Sequence, residues 1–138
     1  MTTLTRFGIS LDRGLLGKFD RHIKSKNYRN RSEAVRDLIR EELVKTEWLR
    51  GSNVAGAITL VYDHRRRELL NKLTDLQHDF HNLIISSQHI HLDGDNCLEM
   101  LAVKGRPKEI ETLAHKLKST KGVKFCKLSP ATTGREIT

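Results

Sequence analysis

Between Gln77 and Glu99 the chain reads QHDFHNLIISSQHIHLDGDNCLE. This stretch constrains the fold most, because it dictates a hairpin and loads that hairpin with metal-binding side chains. Residues 83–92 are rich in isoleucine and serine, Asp93-Gly94-Asp95-Asn96 is a cluster of turn formers, and residues 97–103 are apolar. Together these signal two strands joined by a short turn. Strand side chains alternate, so His89 and His91 share one face and Ile90 and Leu92 the other. If His91 lies opposite Cys97, then Cys97 and Glu99 join the two histidines, while Ile90, Leu98 and Met100 read as the core face. A bulge in the hairpin would break this parity.

His78, His89, His91 and Cys97 are the candidate ligands. Imidazole nitrogen and thiolate suit late first-row divalent metals, whereas magnesium or calcium would call for carboxylate and carbonyl oxygens. The spacing is neither that of a zinc finger nor that of a zincin. Upstream, Leu69, Leu73, Leu76 and Phe80 recur as on an amphipathic helix over 65–81. At about 100° per residue, His78 falls nearly opposite that stripe. A helix packed by its leucines on the apolar sheet face turns His78 away from the cluster on the sheet's other face, so a neighbouring subunit is expected to complete the site. Singly these residues mean little. An exposed helical histidine such as His22 or His115 is ordinarily just solvated, and an isolated cysteine is ordinarily a small buried hydrophobe. It is their conjunction on one face that points to metal.

The chain has 138 residues, 37% hydrophobic and 30% charged, a globular balance with a lean core that favours oligomerisation. Two cysteines do not make a disulfide framework, and neither a signal peptide nor a long apolar run is present, so a reducing cytoplasm and no membrane partner are expected. The net charge of +8 points to an acidic partner such as nucleic acid.

Five of those eight excess charges lie in the first fifty residues. There, residues 4–11 alternate, with Phe7, Ile9 and Leu11 on one face and Arg6, Gly8 and Ser10 on the other, as in a half-buried strand. Asp12 is a good N-cap for a helix with Leu15, Leu16, Phe19 and Ile23 on one side. Asn30 and Glu33 resemble a capping box for a second helix bearing Ala34, Val35, Leu38, Ile39 and Leu43 and ending near Trp48. A lone strand needs a partner. Two chains pairing theirs would make a ribbon whose outward Arg6, Gly8 and Ser10 fit a major groove. Beyond the linker 50–53 come a strand (54–62), the His78 helix, the hairpin, a helix opened by Pro107, a stop at Lys121-Gly122 and a last strand (123–128). The order βαββαβ is ferredoxin-like, with helices on one face of the sheet. The tail 129–138 lacks periodicity and is expected to fray. The fold class is α+β, with domains 1–50 and 51–138.

Strand, helix, helix with Asn30-Arg31-Ser32-Glu33-Ala34 opening the second helix resembles the ribbon-helix-helix DNA-binding domains. Followed by a βαββαβ domain carrying Gln77-His78, His89, His91, Cys97 and Glu99, essentially the whole chain resembles the nickel-responsive transcriptional regulators. The resemblance implies an ACT-type second domain forming the core of a homotetramer, a dimer of dimers. It implies one Ni(II) per subunit, square-planar, held by His89, His91 and Cys97 of one chain and His78 of another, with Gln77 and Glu99 supporting the ligands. It further implies base contacts from Arg6 and Ser10. Gly8 departs from the hydroxyl residue often found there, and Glu33 and Asp37 match residues that bind a cation at the domain interface. A regulator of this kind is not an enzyme, and represses nickel-uptake genes by binding a palindromic operator in double-stranded DNA. The rivals are a metal-independent repressor with an amino-acid-binding ACT domain, a cytoplasmic nickel buffer, and a zinc hydrolase with Glu99 as base.

Overall fold

Helix caps set the first elements in the computed structural model, which describes residues 3–138. Asp12 accepts a hydrogen bond from the Gly14 amide (3.0 Å) and opens α1 (Arg13–Ser25). Asn30 accepts from the Glu33 amide (2.9 Å) and opens α2 (Arg31–Arg50). Each satisfies one of the amides that a helix start leaves without an intrahelical partner. Arg31 grips Asp20 with two 2.9 Å bonds, tying α2 to α1, and Ile23 and Ala34 are buried. Residues 3–11 form no ladder within the single chain, and Phe7, Ile9 and Leu11 are exposed. This follows from the physics of a lone strand, whose backbone groups find no partner without a second chain.

The remaining elements are β1 (Val54–Asp63), α3 (Arg67–Asp79), β2 (Ile84–His91), β3 (Asn96–Gly105), α4 (Pro107–Lys118) and β4 (Val123–Pro130). They form an antiparallel sheet of order β2-β3-β1-β4, the ferredoxin-like arrangement. Val54, Ile58, Leu60, Leu101 and Val103 from the central strands pack with Leu69 and Leu73 of α3 and Ile110, Leu113 and Leu117 of α4. Pro107 starts α4 where its missing N–H costs nothing. Gly122 takes φ 101, a conformation that favours glycine, and leads into β4.

One expectation changes. The tail does not fray: the Trp48 indole N–H donates to the Ala131 carbonyl (2.8 Å), and the Thr132 hydroxyl donates to the buried Glu47 carboxylate (3.1 Å). These bonds are invisible to periodicity because they join residues more than eighty positions apart. The chain divides into two compact units, residues 1–41 and 42–138, with the boundary inside α2. The last turns of α2, with Glu47 and Trp48, belong to the second unit and are fastened to its tail.

Candidate metal centre

The β2–β3 ladder sets His89 opposite Glu99 and His91 opposite Cys97; its one irregularity lies between Ile84 and Ser86, away from these pairs. Both histidines, Cys97 and Glu99 therefore share a face. That face is not the one expected. Along β3 every second residue is buried, and Cys97, Glu99, Leu101 and Val103 form the buried set under the helices. Leu98 and Met100 belong to the open face. The central strand is apolar on both sides, so Leu98 and Met100 mimic a core pair. Lys104, which shares their parity, is the residue that gives the open face away. β2 is an edge strand, mostly exposed, so His89 and His91 stand at the rim of the helix cover with Cys97 buried opposite.

Beneath them lies a polar cluster. Glu99 is fully buried, with Oε1 accepting from Gln77 Nε2 (2.7 Å) and Oε2 lying 2.7 Å from His89 Nε2 and 3.4 Å from the Tyr62 hydroxyl. Burial pushes the Glu99 carboxyl above its usual range, opposed first by His89 and then by the bonds from Gln77 and Tyr62. Burial likewise raises the Tyr62 phenol, with Glu99 and then Cys97 adding to it. Tyr62 is also the ladder partner of Cys97 across β1–β3, and the His64 ring stacks on His91, centroids 4.6 Å apart and 8° from parallel. Neither was foreseen from the residues. The available signal was parity, since Tyr62 ends the inward-facing set of β1 and His64 follows it by two residues, just past the strand.

His78 is exposed in the last turn of α3, its ring 5.9 Å from that of His81. Gln77, one residue earlier and so about 100° round the helix, takes the inward position. Among the described residues no three His, Cys, Asp or Glu side chains of one chain converge closely enough to hold a metal. The donor chemistry nevertheless fits a late first-row divalent ion: two imidazoles and a thiol at one rim, with Glu99 and Gln77 able to orient them. In the first unit Arg6, Gly8 and Ser10 are exposed. Asp37 accepts from the Tyr28 hydroxyl (2.7 Å), while the Glu33 amide serves the α2 cap. No helix among the described residues is long and apolar enough to cross a membrane.

Residues 55–131 match the family model described as NikR C terminal nickel binding domain, and residues 5–46 match that of the ribbon-helix-helix proteins, copG family. A protein of Syntrophus aciditrophicus named "Putative nickel-responsive regulator" is 58% identical over 135 residues, 98% of each chain. A protein of the same name from Chlorobaculum tepidum is 59% identical over 129 residues, 94% of this chain and 96% of that one. The chain belongs to the nickel-responsive regulator family. That family is one of regulators rather than enzymes, and this regulator pairs a ribbon-helix-helix segment with a nickel-binding domain. An uncharacterized protein from Thermotoga maritima shares the fold with TM-score 0.53 at 21% identity, covering 57% of this chain and 98% of that one.

Proposed function

We propose that this protein is a nickel-dependent repressor of nickel-uptake genes, a cytoplasmic homotetramer built as a dimer of dimers. Residues 1–50 bind DNA and residues 51–138 bind metal and assemble the core. Ni(II), one per subunit, is held by His89, His91 and Cys97 of one chain and His78 of another, with Gln77 and Glu99 holding the ligands in place. The single observation that carries this reading is the ladder pairing of His91 with Cys97 and of His89 with Glu99, which gathers soft and borderline donors on one rim. Interchain closure draws support from the exposed placement of His78 beside an inward Gln77.

When bound, the metal supplies a link between two chains that neither makes alone. Paired 3–11 segments present Arg6, Gly8 and Ser10 to the operator, and Glu33 and Asp37 offer carboxylates for a cation at the domain interface. By linkage, operator DNA tightens metal binding by the factor with which metal tightens operator binding. The test is a gel-shift titration on a palindromic operator selected from random double-stranded DNA in the presence of nickel. Specific binding should appear with Ni(II) and vanish with chelator. Equal binding in both conditions sinks the metal dependence, and nickel uptake without specific binding sinks the DNA role.

A further inference from the structure

His89 and His91 are oriented by different means. The His89 ring meets a polar partner at each nitrogen, Nε2 at Glu99 (2.7 Å) and Nδ1 at the Tyr62 hydroxyl (3.4 Å), and one of these contacts must give way for that nitrogen to take a metal. The His91 ring has no hydrogen bond to any described residue; its one ring contact is the stack on His64. A metal-binding histidine is ordinarily fixed by a hydrogen bond from its second nitrogen. On His91 the restraint comes instead from a ring stacked against its face.

His64 is itself firmly seated. Its amide donates to the Asp95 carbonyl (2.9 Å), joining the β1–α3 loop to the β2–β3 turn. Arg65 closes the same gap with its side chain, Nη2 on Asp63 Oδ2 (3.0 Å) and Nη1 on Asp95 Oδ1 (2.9 Å). The turn is preorganised in its own right, because Asp93 Oδ1 accepts from the amides of Asp95 (2.8 Å) and Asn96 (2.7 Å). A single exposed ion pair contributes little. This one is forked over two carboxylates and runs alongside a backbone bond, so it acts as a clasp on a short loop. His64 Nε2 is buried without a hydrogen-bond partner, so within the chain the ring meets His91 by its face alone.

We propose that His64, seated by the Arg65 clasp, is a positioning residue that fixes the imidazole of His91 for metal binding by stacking. The proposal rests on the reading of His91 as a ligand. In the metal-free protein, the ring protons of His91 should show the upfield shift of a stacked ring by NMR. His64→Ala should abolish that shift, His64→Phe should keep it, and Arg65→Met should reduce it. In chelator competition, His64→Ala should lose roughly 10–100-fold in nickel affinity, the range for groups that orient metal ligands, and His64→Phe should recover most of that loss. A phenylalanine variant as weak as the alanine variant would show that His64 acts through a nitrogen, as a ligand or hydrogen-bond donor, and would overturn stacking. Unchanged affinity and an unchanged His91 shift in His64→Ala would overturn the proposal while leaving the metal site intact. His91→Ala separates the two readings: full nickel binding by that variant would remove the ligand assignment itself.

Discussion

Cys97 stands opposite His91 and beside Tyr62 in the sheet, while the Cys126 sulfur lies 3.8 Å from the Ala114 carbonyl of α4. Burial raises the Cys126 thiol, and Lys118 only partly offsets it, so this sulfur resists becoming the thiolate that metal binding requires. Nickel-loaded protein should therefore show a thiolate charge-transfer band that Cys97→Ser removes and Cys126→Ser leaves. A band lost in the Cys126 variant would show that the wrong sulfur carries the assignment. At this scale the shared face of His89, His91, Cys97 and Glu99 was readable from strand alternation alone. Their sidedness was not, because the burial of Glu99 depends on Gln77, Tyr62 and His89 arriving from three other elements to satisfy it. A lone glutamate between Leu98 and Met100 looks solvent-facing until those partners are in place.

At the scale of elements, capping and hydrophobic period read well: Asp12 and Asn30 open their helices, Leu69 and Leu73 of α3 and Ile110, Leu113 and Leu117 of α4 are the buried stripes, and the βαββαβ order stands. What did not read were joints made by side chains across long separations. The Arg65 clasp holds the Asp63 carboxyl down to about 2, first through its side-chain bonds and then through its backbone amide. A depressed folded pKa stabilises above the ordinary carboxylate value of 3.8 and loses that contribution as pH falls toward about 2. Protection of the His64 amide in metal-free protein should accordingly fall across that window, and Arg65→Met should return Asp63 toward 3.8 in a carboxyl NMR titration. An Asp63 titration unmoved by the variant would mean that the clasp is absent in solution. The tail offers a second joint. Trp48 is the chain's only tryptophan, so its fluorescence reports this contact alone. Trp48→Phe should cost about 1 kcal/mol for a lost hydrogen bond, and truncation after Pro130 should shift the Trp48 emission to the red. An unshifted spectrum would mean the tail is not docked.

At the scale of the whole molecule, two features are incomplete in one chain: residues 3–11 lack a ladder partner, and the donors His78, His89, His91 and Cys97 do not converge. The donor cluster lies on the helix-covered side of the sheet, not on the face that the apolar Leu98 and Met100 leave to it by parity. What favours an interchain site is the exposed His78 following an inward Gln77 that reaches Glu99. It predicts complementation. Tetramers of His78→Ala alone or of Cys97→Ala alone should each lack four-ligand sites, and mixing them after partial unfolding should rebuild some. At an interface pairing one chain of each type, the cluster of the His78 variant meets the intact His78 of its neighbour, so one of the two reciprocal sites is whole. The other lacks both groups. Recovery should be seen as return of the thiolate band in tetramers verified to contain both variants. A site closed within one chain could not be restored by mixing, because every chain in the mixture lacks one of its own ligands. No recovery in verified mixed tetramers would therefore remove the interchain site, and with it the account of how metal binding reaches the DNA-binding ends.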